Sequence, residues 1–161
     1  IDVACIGLQY QHRALVMGEL ERIGYKVMSE VGPIFDEYRA IYNRAKVAFT
    51  WSSRKDTIAR VFETPRMGCA LVTNQTPDLG LFYTPGRDCL TFTDAREAIE
   101  RIEGLLQDET ARNAIALNGY NAAAPHTWTH RAEWLVKVFK DDVPAEAFNY
   151  AMLSELERVK K

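Results

Sequence analysis

Residues 46–73 have the sequence KVAFTWSSRKDTIARVFETPRMGCALVT, and this stretch decides the fold. Lys46 to Trp51 is rich in β-forming residues and predicts a strand, and Cys69 to Thr73 forms a second short apolar run. A helical pattern separates the two runs. Because parallel strands need a crossover connection, a strand, a helix and a second strand in this order predict a parallel pair.

The helix between these strands begins at about Asp56 and places Ile58, Val61 and Phe62 on its inner face. Pro65 should kink or shorten this helix, since proline has no backbone N–H and its ring clashes with the preceding turn. We therefore expect an irregular helix that stops at Gly68.

The same alternation continues on both sides of residues 46–73. The further strands are predicted at Val3 to Ile6, Tyr25 to Met28 and Cys89 to Phe92. A loop, a short helix and a loop fill residues 74–88, and four helices with capping residues Asp94, Asp108 and Thr127, or with Pro144 at the start, complete the chain. The sequence predicts an α/β fold: a Rossmann-like open parallel sheet of about five strands with a C-terminal helical cluster.

Composition excludes several classes of protein. The chain has 161 residues, 20 Lys and Arg against 22 Asp and Glu, and a formal charge of −2, so it lacks the basic field that nucleic-acid binding requires. Its longest apolar stretches are far too short to span a membrane. Its three cysteines are spaced for neither a disulfide framework nor a zinc site, and we interpret them as buried free thiols in a reducing, cytoplasmic location.

Charge is unevenly distributed along the chain. Residues 38–66 contain seven Lys and Arg against two acids, and three of these cations, Arg54, Lys55 and Arg60, follow the third strand. Ligands of open parallel sheets bind at the carboxyl ends of the strands, where helix N-termini favour anions. A phosphate site is plausible here, although on charge alone solvated helix faces are the favoured explanation.

Other site signatures are missing. The sequence contains no GxGxxG, P-loop or HExxH pattern, so we expect no nicotinamide cofactor and no metal. His12 follows the first strand, where it could contact a ligand, whereas His126 and His130 flank a helix cap and are interpreted as structural.

Four segments resemble motifs of a known family. They are YNRAKVAF at residues 42–49, RVFETPRMGCALVT at residues 60–73, FYTPGRD at residues 82–88 and HTWTHR at residues 126–131. In this order they resemble the C-terminal, donor-binding half of GT-B fold glycosyltransferases of the group 1 type, most closely the CgeB-like group. The resemblance implies a glycosyltransferase that binds a nucleotide-diphosphate sugar as donor substrate, needs neither metal nor cofactor, and works with an N-terminal acceptor domain of the same protein.

The resemblance also implies roles for particular residues. Glu63 would accept hydrogen bonds from the donor ribose, unless it is a surface acid paired with Arg60 or Arg66. The implied contacts to the other parts of the donor are Arg60, Arg13 and Gly7 for the diphosphate, Gly32 and Pro33 for the base, and Thr76 and Asp78 for the sugar. Lys55 stands where many retaining members carry a second glutamate, and no catalytic residue is identified.

We expect residues 1–140 to form the nucleotide-sugar-binding domain and residues 141–161 to form a C-terminal helix. This helix would either pack on the same domain or cross to the N-terminal one. An apolar start without Met suggests that the chain is part of a longer protein.

The alternative function is a non-catalytic nucleotide-binding or subunit-interaction module. A receiver-like domain fits less well, because the early acidic cluster is missing. The base, the sugar, the acceptor, the stereochemistry and the oligomeric state are not determined.

Overall fold

A five-stranded parallel sheet forms the centre of the protein in the computed structural model, which describes residues 1–140. The strands are β1 (Val3–Ile6), β2 (Val27–Glu30), β3 (Val47–Thr50), β4 (Ala70–Asn74) and β5 (Leu90–Phe92). They lie in the order β2-β1-β3-β4-β5, and each neighbouring pair is parallel. The predicted fold class is confirmed.

Helices cover both faces of the sheet. They are α1 (Gln11–Arg22), α2 (Phe35–Tyr42), α3 (Arg60–Glu63), α4 (Ala95–Gln107), α5 (Glu109–Ala123) and α6 (Trp128–Lys140). Val3 and Cys5 of β1 pack with α1 and α4, whereas Ala4 and Ile6 pack with α2. Since successive side chains of a strand point to opposite faces, burial on both faces explains why the strands are continuously apolar.

Capping residues identify where the helices in the C-terminal part of the chain begin. The Asp94 side chain accepts a hydrogen bond from the Glu97 N–H at 2.9 Å, and Asp108 accepts one from Ala111 at the same distance. Thr127 accepts one from the N–H of His130 at 3.2 Å. These caps confirm the predicted starts of α4, α5 and α6. The helix predicted from Pro144, and the whole of residues 141–161, lie outside the described residues.

The helix between β3 and β4 is shorter than predicted. Its α-helical part is α3 alone, and Pro65–Met67 continues as a 3₁₀ turn that ends at Gly68 in a left-handed conformation, as the proline predicted. The predicted start at Asp56 is wrong. The Ser52 hydroxyl hydrogen-bonds the Asp56 carboxylate, and Lys55 has a φ of +54°, so this segment forms a turn instead of a first helical turn.

The strand order positions the site. β1 and β3 are neighbours, but the chain leaves β1 toward β2 on one side and leaves β3 toward β4 on the other, so the loops after β1 and β3 separate at the carboxyl edge of the sheet. Such a switch point is where open α/β sheets form their ligand crevices. None of the helices within residues 1–140 combines the length and the apolar character that a membrane span requires.

Candidate functional site

A cleft of about 1380 Å³ opens at this switch point. Its walls come from the loops after β1, β2 and β3, from α1, α2 and α3, from the 3₁₀ turn after α3 and from the first residue of α6. Five arginines and three carboxylates line it: Arg13, Arg39, Arg54, Arg60 and Arg66 with Asp36, Asp56 and Glu63. Asp36 pairs with Arg39, but within residues 1–140 Arg54 and Arg60 form no ion pair, so the cleft offers uncompensated positive charge to an anion.

Gly7 and Arg60 meet at the floor of the cleft. Arg60 Nη1 donates a hydrogen bond of 2.5 Å to the carbonyl oxygen of Ile6, the last residue of β1. Gly7 has a φ of +130°, and a Cβ at this position would lie 2.0 Å from Arg60 Nη1. The backbone conformation therefore favours glycine here, and a side chain at this position would also displace the Arg60 guanidinium.

Arg13 joins two loops of the cleft. Its side chain is buried, its Nε donates to the Trp51 carbonyl at 2.9 Å, and its Nη1 donates to the Leu8 carbonyl at 2.8 Å. Nη2 also donates to Trp51. Burial lowers the pKa of Arg13, but a guanidinium keeps its charge at neutral pH. Arg13 thus holds the loops after β1 and β3 together and adds charge beneath the cleft.

Glu63 is paired with a tyrosine instead of an arginine. The Tyr38 hydroxyl, from α2, donates a hydrogen bond of 3.1 Å to Glu63 Oε2. Burial, reinforced by Tyr42 and by Glu63 itself, raises the pKa of Tyr38, so this hydroxyl stays a donor. The surface ion pair with Arg60 or Arg66, the alternative for Glu63, does not form within the described chain. A half-buried carboxylate with one oxygen held and lone pairs remaining can accept further hydroxyl groups.

Gly32 and Pro33 lie in the rim of the cleft, in the loop after β2. Their apolar neighbours in the same rim are exposed, Val31 by 59%, Ile34 by 62% and Phe35 by 82%. The rim is consequently an apolar lip above a charged floor, a combination suited to a ligand with a flat apolar part and an anionic part.

Thr76 and Asp78 lie together but do not line the cleft. Both contact the Thr57 hydroxyl, which is 2.8 Å from Thr76 Oγ1 and donates to Asp78 Oδ1 at 2.5 Å. Thr76 borders a neighbouring cavity of about 570 Å³ instead, and Ser52 and Ser53 border both spaces.

His12 borders the same neighbouring cavity. Its ring packs 4.6 Å from the Trp51 ring, and its Nε2 is buried with no hydrogen-bond partner among residues 1–140. Burial and the adjacent Arg13 lower the pKa of His12, which favours the neutral imidazole. No three His, Cys, Asp or Glu side chains within residues 1–140 are grouped as a metal ion would need.

The HTWTHR segment joins the start of α6 to α3. The His126 ring lies 5.1 Å from the rings of both Phe62 and Phe82, and the Arg131 guanidinium lies 5.2 Å from the Phe62 ring centroid. Thr127 caps the helix and also contacts His130 Nδ1 at 2.8 Å. These contacts agree with the structural interpretation of both histidines, and they leave Trp128 at the cleft rim.

Comparison with known proteins identifies the family. The sequence matches the model of a family described as glycosyl transferase-like over residues 1–137. The chain belongs to this family. The predicted enzyme class, a glycosyltransferase, is thereby confirmed at the level of the family, while the narrower CgeB-like assignment stays a prediction.

The fold of this glycosyl transferase-like chain also matches a solved structure, sucrose-phosphate synthase from Thermosynechococcus elongatus. The TM-score is 0.62 and the sequence identity is 19%. The match covers 86% of this chain but only 37% of that protein. The predicted GT-B type of domain is confirmed as a fold. No curated protein sequence matches the chain.

Two cleft residues of this glycosyl transferase-like chain escaped the sequence analysis. Tyr38 lies in α2 and Trp128 lies in the HTWTHR motif, and the sequence assigned a binding role to neither. A Trp directly after a helix cap is the sequence signal that could have indicated the second residue. No local pattern indicates that Tyr38 reaches Glu63, because the two lie 25 positions apart.

Proposed function

We propose that this glycosyl transferase-like chain binds a nucleotide-diphosphate sugar in the cleft and serves as the donor domain of a glycosyltransferase. The observation that carries this proposal is the placement of Arg60 and Glu63, one turn apart on α3, in one cleft, with Arg60 beside the Gly7 backbone at the sheet switch point. One guanidinium and one carboxylate at this spacing suit the two adjacent parts of a nucleotide, its phosphates and its ribose.

The diphosphate would lie over Gly7, against Arg60. Because Gly7 has no side chain, the Arg60 guanidinium can lie against the end of β1, and its remaining N–H groups can bind phosphate oxygens bidentately. Arg13 supports this site by holding the loops after β1 and β3 together, and its positive charge attracts the diphosphate. We also propose that its remaining N–H groups contact the diphosphate directly.

The ribose would lie at Glu63. The Tyr38 hydrogen bond orients the carboxylate, and its other lone pairs can accept the two ribose hydroxyls. The base would pack against Gly32 and Pro33 of the apolar lip. The sugar would point past Ser52 toward the neighbouring cavity, where Thr76 lies, with Asp78 acting through Thr57.

Transfer would proceed by attack of an acceptor hydroxyl on the anomeric carbon of the sugar. The new glycosidic C–O bond forms, the C–O bond to the β-phosphate breaks, and the nucleoside diphosphate leaves with the bonding electrons. Arg60 would stabilise the negative charge on the leaving group, and on this ground we propose metal-independent transfer that uses the donor without a cofactor. The acceptor and the base that takes its proton would be supplied by an N-terminal acceptor domain of the same protein.

A second candidate is a non-catalytic nucleotide-binding module of the same fold. Lys55 favours it, since this residue stands where many retaining members of the resembled family carry a glutamate, and it borders the neighbouring cavity. Such a module would bind the nucleotide and leave the sugar unchanged.

Isothermal titration calorimetry with UDP-, GDP- and dTDP-sugars tests donor binding. We expect at least one of them to bind, and Glu63→Gln to weaken that binding about tenfold, as loss of hydrogen bonds to a charged group implies. Glu21→Gln is the control, because Glu21 is exposed on α1 away from the cleft. Donor binding is refuted if no sugar nucleotide binds at millimolar concentration. Product analysis with the longer protein then separates transfer from the non-catalytic candidate.

A further inference from the structure

We propose that Trp128 forms an aromatic wall of the cleft and stacks on the planar base of the nucleotide. This inference rests on the proposed function and extends it, because it assigns a base-binding residue in the HTWTHR segment. The first observation is exposure: the indole is 72% exposed although it lies in a cleft lined by charged residues. An exposed aromatic ring at the rim of a concave site is a typical contact for a ring-shaped ligand.

The second observation is that the residues on both sides of Trp128 contact α3. Arg131 and His126 both pack on Phe62, which lies between Arg60 and Glu63 in the sequence of α3. The Thr127 cap sets the first turn of α6 directly before the indole. These contacts place the first turn of α6, and with it Trp128, beside the helix that carries the proposed phosphate and ribose contacts, although α6 has no buried residue.

The third observation is the position of the indole relative to Glu63. Trp128 and Glu63 line the cleft together, and with Arg66 they also line an adjoining cavity of about 340 Å³. A base is bonded directly to its ribose, so a ribose at Glu63 brings the base to the part of the cleft that Trp128 borders. Val31, Ile34 and Phe35 provide an apolar lip in the same cleft.

The aromatic ring of Trp128 and the apolar lip suit a base better than they suit the other parts of the ligand. Phosphates and sugar hydroxyls need charged or polar partners, whereas the flat π-face of a base binds an indole through stacking and excludes water from it. Stacking tolerates every base, and Trp128 would accordingly strengthen the binding of all nucleotides instead of selecting one.

The test compares UDP, GDP and dTDP with inorganic pyrophosphate, titrated by calorimetry against the full chain and its variants. We expect Trp128→Ala to lower the affinity for each nucleoside diphosphate about tenfold. Pyrophosphate has no base, and its affinity should stay the same. Trp128→Phe should keep most of the nucleotide affinity. Phe139→Ala is the matched control, since Phe139 is an 82% exposed aromatic residue on the same helix that does not line the cleft.

A second measurement does not depend on how the alanine variant folds. In Trp51→Phe/Trp134→Phe, Trp128 is the only indole left in the chain, and stacking by UDP should quench its fluorescence while pyrophosphate should not. Unchanged nucleotide affinity of Trp128→Ala, or no quenching by UDP, overturns the inference and leaves the proposed function intact. The inference is also overturned if Trp128→Ala lowers the affinity for pyrophosphate as much as the affinity for nucleotides, because Trp128 would then act on the whole cleft. If the wild-type chain binds no nucleotide, the proposed function and this inference both fail.

Discussion

The guanidinium of Arg60 occupies the space that any side chain at Gly7 would need. The two residues are 53 positions apart, yet a Cβ on Gly7 would lie 2.0 Å from Arg60 Nη1. Arg60 also bonds the carbonyl oxygen that precedes Gly7, so the end of β1 and the start of α3 are joined at one point. This junction is the part of the cleft on which the proposed phosphate binding depends.

Gly7→Ala should therefore weaken nucleotide binding and also lower the stability of the fold. The positive φ of Gly7 costs a side chain about 2 kcal/mol, and the Arg60 guanidinium, as the end of a flexible side chain, must move away. We expect UDP affinity to fall about tenfold or more because the charged contact is displaced. Calorimetry and urea unfolding measure the two effects. A variant that is less stable yet binds UDP normally would contradict this account of the junction.

Tyr38→Phe should weaken ribose binding indirectly. Removal of the hydroxyl leaves the half-buried Glu63 carboxylate without its orienting donor, at a cost of about 1 kcal/mol to folding. UDP affinity should fall less than in Glu63→Gln. In the double variant the two losses should not add, because both act on one contact. Additive losses in this double-mutant cycle would refute a shared role.

The raised pKa of Tyr38 gives a second prediction, for the wild type. Its hydroxyl should stay protonated at about pH 10, where free tyrosine ionises, and an absorbance titration can follow this ionisation.

Asp2 should make stability depend on pH in the acid range. Its carboxylate accepts hydrogen bonds from Lys46 Nζ at 2.8 Å and from the Lys26 N–H at 2.9 Å, and the Lys46 bond is the main reason that the pKa of Asp2 is lowered. A lowered pKa contributes stability above the unfolded value, about 3.9, and this contribution disappears as the pH falls through the folded value.

Asp2→Asn should then lower the free energy of unfolding by about 1 kcal/mol at pH 7, and the difference from wild type should narrow as the pH falls below about 4. Urea unfolding at several pH values measures it. Glu21→Gln, at an exposed site on α1, is the control and should change little. A difference independent of pH would show that the aspartate acts through packing alone.

Two helical glycines should respond to alanine in opposite directions. A Cβ on Gly119 of α5 would lie 2.6 Å from the carbonyl oxygen of Asp88, whereas nothing lies within 4 Å of the same position on Gly104 of α4. Gly119→Ala should cost about 2 kcal/mol through overpacking against backbone. Gly104→Ala should stabilise by up to about 1 kcal/mol through helix propensity. Thermal unfolding of both variants tests the pair, and a stabilised Gly119→Ala would contradict the close packing of α5.

Local signals account for the elements that the sequence analysis located. The Asp94 and Asp108 caps depend only on residues three positions apart, and the effect of Pro65 on its helix is a property of that residue. The start of α3 could not be found in this way. Ser52 competes for Asp56 and forms a turn where propensity alone favoured a helix.

The sequence by itself determined the alternation of strands and helices and the kinds of side chain available at the strand ends, because periodicity and charge are local properties. Only the tertiary structure decided which of them meet. The strand order brings the end of β1 beside the start of α3, α2 delivers Tyr38 to Glu63, and the start of α6 sets Trp128 at the same cleft. These residues are separated by tens of positions, and their contacts follow from how the helices pack on the sheet, which no short stretch of sequence encodes.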